Sequence, residues 1–444
     1  MTSTRIGLPR PYQSYVYAYP HKTAYRPLAP QPSLRDLWAG EPRDALSLYL
    51  HIPFCEIRCG FCNLFTRVGA PGDLTTRYLD ALTRQAETVR DALGDPLRFA
   101  TAAFGGGTPT YLDAGELTRL CDIAEHTMGA DLHGIGFSVE TSPATATADR
   151  LAVLAARGAT RISLGVQSFD ESEARAAVRP QRRAEVESAL ARIRDTGVAN
   201  LNIDLIYGID GQTPRSWRAS LDAALAWQPE EIYLYPLYVR PLTGLSRRMD
   251  EAADPVWDEQ RLRLYRQGRD RLLAGGYQQR SMRMFRRIDA PASGPDDYSC
   301  QTDGMIGLGC GARSYTRGLH YSFDYAVQVA EIRAIIDSYT ATTDFGYAVH
   351  GRVIDEDEAR RRFLLQSILQ ADGLVVADYR GRFDTDPHTD FPVELGVLAD
   401  RGWLAGTAGE LLRLSPEGLA YSDAIGPEFF SSAVRAAMAE YELR

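Results

Sequence analysis

The sequence predicts an α/β fold: a partial (β/α)6 barrel, preceded by an arm and followed by a small helical domain. Three observations predict it. Six short β-rich runs alternate with longer amphipathic stretches between residues 46 and about 240. The connections are long enough for parallel pairing through right-handed crossovers. The alternation then fades, and a helix-patterned region occupies the end of the chain.

Residues 1–45 come first, with YQSYVYAYPHKTAYRPL and several prolines. Five tyrosines fall within the first 25 residues, too many for a solvated tail, so an arm tied down by aromatic contacts is expected. The barrel is expected over 46–285. Its strands are LSLYLHI (46–52), FATAAFG (99–105), GIGFSVE (134–140), RISLGVQ (161–167), ANLNIDLIYG (199–208) and EIYLYPLYV (231–239). Helical patterns lie between them at 75–94, 113–127, 147–157, 183–195 and 214–227, with one more at 257–274. Residues 286–349 read as a loop-rich connection. Residues 350–444 read as a helical domain, winged-helix-like, with helices near 354–370, 391–402 and 427–442 and a β-like piece at 411–415. In a barrel of this type the chemistry lies at the C-terminal ends of the strands.

Composition narrows the function classes. The 444 residues are 45% hydrophobic and 24% charged, as in ordinary globular chains. A net charge of -9 argues against nucleic acid as partner. No apolar run long enough for a membrane span occurs, and the N-terminus lacks a secretory pattern, so a cytoplasmic location is expected. Lys22 is the single lysine among 49 Lys and Arg residues, which we attribute to GC-rich codon usage with no structural meaning.

The sharpest signal is YLHIPFCEIRCGFCNLF, in which Cys55, Cys59 and Cys62 are spaced Cys-x3-Cys-x2-Cys. One short loop can wrap three thiolates around three irons of a [4Fe–4S] cluster and leave the fourth iron open. That open iron can chelate the amino and carboxylate groups of S-adenosylmethionine (SAM), whose reductive cleavage yields a 5′-deoxyadenosyl radical. A zinc site is the competing reading, but zinc prefers four ligands and no second Cys pair follows. Cys121 falls on an apolar helix face and is expected in the core. Cys300 and Cys310 are not assigned.

The motifs LYLHIPFC, FGGGTPTYL, the strand ending at Glu140, RISLGVQSF, NIDLIYG and IGLGCGARSY resemble the radical SAM family typified by oxygen-independent coproporphyrinogen III oxidase. The resemblance implies two SAM molecules side by side and an electron donor such as flavodoxin or ferredoxin. It implies that Tyr49 and Phe61 flank the cluster-bound SAM, that Gly106 admits its amino group, and that Glu140 accepts from its ribose. For the second SAM it implies Gly107, Thr108, Gln167, Arg179 and Asp204. Some oxidase features differ. Leu64 stands where the oxidases carry a fourth cysteine, Met284 precedes Phe285 where they have His-Phe, and Tyr238 replaces a small residue.

Because both SAM sets are retained while these features are missing, methyl or methylene transfer to an sp2 carbon of an aromatic natural-product intermediate is the first expectation. The alternatives are coproporphyrinogen III decarboxylation, with Arg240, Arg280, Arg283, Arg286 and Arg287 binding the propionates, and a haem-binding relative of the family.

Overall fold

In a computed structural model, residues 10–248, 254–291, 300–406 and 409–442 are described. Six parallel strands form the centre: β1 (Leu46–Ile52), β2 (Phe99–Gly106), β3 (Gly136–Thr141), β4 (Arg161–Gln167), β5 (Asn200–Tyr207) and β6 (Glu231–Pro236), paired in chain order. Helices Leu74–Leu93, Ala114–Asp122, Ala148–Ala156, Arg183–Asp195 and Pro214–Leu225 fall between successive strands. This is the expected fold class. The helices start where the sequence supplies caps. Asp113 accepts from the Glu116 amide at 2.8 Å, and Glu116 accepts from the Asp113 amide at 3.1 Å.

Strand periodicity explains why the barrel can hold a site. Side chains two apart share a face of a strand. One face carries Leu46, Leu48, Leu50, Ile52, Phe104, Val139, Ile162, Leu164, Leu201, Ile203, Leu205, Ile232 and Leu234, which are buried under the helices. The other carries Ser47, Tyr49, His51, Thr101, Gly105, Ser138, Glu140, Ser163, Gly165, Asn202, Asp204, Glu231, Tyr233 and Tyr235. These polar groups bond across strands, as Thr101 Oγ1 does to Ser47 Oγ (3.0 Å) and Asn202 Nδ2 to Ser163 Oγ (2.7 Å). Arg161 spans the lower end, donating to Glu231 (2.7 Å) and Ser138 (3.0 Å). The hydrophobic core therefore lies outside the barrel, and a polar lining lies within.

Residues 286–349 are more than a loop-rich connection. They supply β9 (Met305–Leu308), β10 (Arg313–Tyr315) and β11 (Leu319–Ser322), after β7 (Tyr277–Gln279) and β8 (Met284–Arg287). β9 lies parallel to β1, and β8 closes the opposite side, antiparallel to β6. From β9 the sheet continues antiparallel through β10, β11 and β12 (His350–Val353) to the segment Arg26–Pro27.

The C-terminal region is mainly helical, with helices including Glu356–Ile368, Pro392–Asp400 and Ser432–Ala439 around a small sheet made of Leu374–Val375, Leu404–Ala405 and Leu411–Leu414. The arm ties this region to the barrel. Tyr12 packs on Tyr207 (ring centroids 6.1 Å apart), and Tyr15 on Tyr235 (6.4 Å). The Tyr19 hydroxyl donates to Glu358 and accepts from the Ser431 amide.

Candidate active site

The cysteine loop leaves β1 and is tied at its base. Phe54–Cys55 pairs with Arg67–Val68, and the Arg67 amide donates to the Pro53 carbonyl (2.7 Å). The glycine loop after β2 is joined to the same segment, since the Gly107 amide donates to Ile52 O and the Thr108 amide to Phe54 O, both at 2.8 Å. A side chain at Gly107 would place Cβ 2.6 Å from Phe54 O and 3.0 Å from Cys55 Sγ. Glycine there is a requirement of close approach.

Each thiol has a polar neighbour. Cys55 Sγ lies 3.5 Å from Thr108 Oγ1, Cys59 Sγ accepts from Arg179 Nη1 at 3.0 Å, and Cys62 Sγ lies 4.0 Å from Thr66 Oγ1. Burial pushes the Cys55 thiol up to about 12 and raises that of Cys62. Bound iron would hold both as thiolates. Among the described residues, no three His, Cys, Asp or Glu side chains are placed to share a single metal ion. A cluster, which takes one thiolate per iron, suits the donor set better than zinc does.

Gly106 has φ +119°, and its amide donates to Glu140 Oε2 at 3.2 Å. A Cβ on Gly106 would lie 2.6 Å from the His51 ring. Tyr49 OH lies 3.1 Å from His51 Nδ1. The Glu140 carboxyl is raised to about 7, by desolvation first and then by the Asp204 charge. Glu140 itself is exposed, one residue before the end of β3.

Asp204 accepts from Asn202 Nδ2 at 2.8 Å and from Ser163 Oγ at 3.4 Å, and desolvation raises its carboxyl. Gln167 has φ +69° beside a register shift between Gly165 and Gln167, and Val178 has φ +52°. Such strain collects at functional positions. Arg179 bridges these elements, reaching Gly165 O at 2.7 Å as well as Cys59. Phe61 lies partly buried against an apolar group that includes Ala177, Ile206 and Leu245.

Most residues expected at the site thus lie near the C-terminal ends of the strands or in the loops that follow them, while Tyr49 and Asp204 face inward from within β1 and β5. Other residues singled out from the sequence are engaged by partners in the fold. The Tyr238 hydroxyl donates to Asp423. The proposed propionate-binding arginines are largely taken up in ion pairs: Arg283 with Asp423, Arg286 with Glu231, Arg287 with Glu230 and Asp289, and Arg280 with Asp372. Glu230 and Glu231 lie at the start of β6, so Arg286 and Arg287 are held at the end of the barrel away from the cysteines. Cys121 is fully buried in the core, as is Cys310, 3.9 Å from the Tyr78 hydroxyl. Sequence reasoning missed His51, which is hemmed in by glycines: a Cβ on Gly311 would lie 2.2 Å from its Nε2. Burial pushes the His51 imidazole down to about 4. The signal was present in the spacing, since His51 shares the inward face with Tyr49.

The Radical SAM superfamily model matches residues 49–224. Over this segment, from β1 to the helix that precedes β6, the chain is similar to that superfamily. It is 33% identical over 271 residues to the oxygen-independent coproporphyrinogen III oxidase of Paracoccus denitrificans, covering 61% of this chain and 60% of that protein. To the oxidase of Pseudomonas aeruginosa it is 28% identical over 436 residues, covering 95% of this chain and 89% of that one. Other relatives are named heme chaperone. Among solved structures, coproporphyrinogen III oxidase (HemN) from Escherichia coli matches with a TM-score of 0.76 at 23% identity, over 94% of this chain and 96% of that one. Likeness to the radical SAM superfamily implies a [4Fe–4S] cluster and SAM. The expectation of methyl or methylene transfer to a natural-product intermediate is corrected by these relatives, whose names point to the oxidase alternative. No helix among the described residues is long and apolar enough to cross a membrane.

Proposed function

We propose that the protein is a radical SAM enzyme of the coproporphyrinogen III oxidase type, which removes carboxyl groups oxidatively from propionate side chains. What carries this reading is the likeness to the Pseudomonas oxidase along nearly the whole chain rather than over the radical SAM domain alone. The site supports it through the glycine loop bonded to the cysteine loop, with an inward carboxylate two strands away from β1.

In this reading Cys55, Cys59 and Cys62 hold the cluster, which when bound and reduced supplies the electron that splits SAM into methionine and a 5′-deoxyadenosyl radical. Tyr49 and Phe61 border that SAM. Gly106 leaves room for its amino group, and Glu140 accepts from its ribose hydroxyls when ionised. A second SAM would meet Gly107, Thr108, Gln167, Arg179 and Asp204. A flavodoxin or ferredoxin would serve as donor.

The test is anaerobic turnover of coproporphyrinogen III by the reconstituted full-length protein. Carbon dioxide and 5′-deoxyadenosine are expected in step, without S-adenosylhomocysteine. S-adenosylhomocysteine formed in proportion to product would overturn the reading. So would stoichiometric haem binding without decarboxylation.

A further inference from the structure

We propose that Lys22 and Arg313 together anchor a substrate carboxylate beside the cysteine loop. The inference rests on the oxidase reading for the identity of the substrate, and it supplies the cationic site that the arginines chosen from sequence do not form.

Lys22 is the only lysine of the chain, so its position is open to direct inspection. It begins the turn Lys22–Ala24 in the arm. Its Nζ stands 3.5 Å from the centroid of the Tyr325 ring. The Tyr325 hydroxyl in turn donates to the carbonyl of Asn63 at 2.6 Å, and Asn63 follows Cys62 directly. The ammonium is thereby held against the loop that carries the three cysteines. A role in codon bias alone does not account for that placement.

Arg313 enters from β10. It donates to Tyr17 OH at 3.2 Å, and its guanidinium lies 4.8 Å from the same ring. Among the described residues, neither Lys22 nor Arg313 forms an ion pair with a carboxylate, whereas most of the arginines chosen from sequence do. His21 lies on the same turn, its Nδ1 2.8 Å from Thr23 Oγ1, and burial keeps it neutral. Tyr17, Tyr25, Tyr315 and Tyr325 complete the surroundings. Two cations are thus desolvated among rings, and no carboxylate among the described residues compensates them; Cys62, on the cysteine loop, is the negative group that acts on Lys22. Burial, then repulsion from Arg313, drives the Lys22 ammonium well below its usual range. Cation–π contact offsets part of that cost. A carboxylate that met both charges would offset much more, through charge-assisted hydrogen bonds. Coproporphyrinogen III carries four such groups. SAM carries one, and the test separates the two sources.

Full-length protein grown with [6-13C]lysine carries a single labelled side chain. Sodium propionate is the probe, and propionamide is the neutral control. The Lys22 signal is expected to move saturably with propionate and not with propionamide. An unmoved signal overturns the anchor, whatever the enzyme turns over. In turnover, K22M is expected to raise the KM for coproporphyrinogen III by about tenfold or more, the loss of one charge-assisted contact. K22R should restore most of it. A KM for SAM that rises as far as that for coproporphyrinogen assigns the carboxylate to SAM and overturns the proposal. Protein that leaves coproporphyrinogen III untouched, yet still shows the propionate shift, refutes the oxidase reading and retains the anchor.

Discussion

Arg179 Nη1 donates to Cys59 Sγ at 3.0 Å while Nη2 of the same guanidinium donates to Gly165 O at 2.7 Å, so one side chain links a cysteine of the loop to strand β4. Hydrogen bonds and positive charge at cluster sulfur favour the reduced state. R179Q is expected to lower the midpoint potential of the reconstituted cluster by roughly 60 mV, the one-electron equivalent of about 1.4 kcal/mol. R179K should lie in between. A potentiometric titration followed by electron paramagnetic resonance measures it, and an unchanged potential would show that the contact does not survive cluster binding.

Glu140 gives the site a pH dependence. Its carboxyl is raised to about 7, by desolvation ahead of the Asp204 charge, with the Gly106 amide and Arg161 opposing. Accepting from both ribose hydroxyls with both oxygens needs the ionised form, since protonation turns one oxygen into a donor. SAM affinity is therefore expected to be full above about pH 7 and to fall as the pH drops through that value, by up to roughly tenfold per unit. Calorimetric titration of SAM from pH 8 to pH 6 measures the slope. E140Q should bind SAM more weakly at pH 8 and show a flat profile. A wild-type profile already flat across that range would rule Glu140 out as the titrating group.

Gly107 tests the tie between the two loops. G107A places Cβ against Phe54 O and Cys55 Sγ, and Phe54 O cannot retreat without breaking the hydrogen bond it accepts from the Thr108 amide. Iron and sulfide content after anaerobic reconstitution is expected to fall to about half of wild type or less, as overpacking displaces the Cys55 backbone. G396A is the control, because nothing lies within 4 Å of its added carbon and it sits in a helix far along the chain. Equal loading in both variants would remove the steric argument.

The parts legible in the sequence were those written into local pattern. The six central strands are β-rich runs with apolar residues at every second position, and the cysteine loop is contiguous, so both follow from neighbours in the chain. β9, β10 and β11 were hidden because each has only three or four residues and lies among glycines, where the ladder to β1 rather than any local preference decides. The partners of Arg283 and Arg286 were hidden for a related reason. A cluster of like charges in sequence says nothing of the carboxylates that the fold brings to it. Lys22 shows the converse, since a residue dismissed on composition acquires its meaning from Tyr325, some 300 positions away.

The pair Arg283–Asp423 is the firmest of these long-range ties. Arg283 Nη1 donates to Asp423 Oδ1 at 2.9 Å and Nη2 to Oδ2, a bidentate contact with side chains only 5% and 2% exposed. The Tyr238 hydroxyl also donates to this carboxylate, and the Ser14 amide donates to the Asp423 carbonyl. Barrel, arm and C-terminal region thus meet at one acid. Removing one member of a buried pair strands the other charge, so R283M is expected to destabilise the fold by about 3–5 kcal/mol. R283M combined with D423L removes both charges and should recover much of that loss, because neither is then buried alone. Urea denaturation of the single and double variants measures the coupling. Were Arg283 a propionate ligand instead, R283M would change the KM for coproporphyrinogen III and leave the urea midpoint where it was. The bidentate geometry predicts the shift in midpoint.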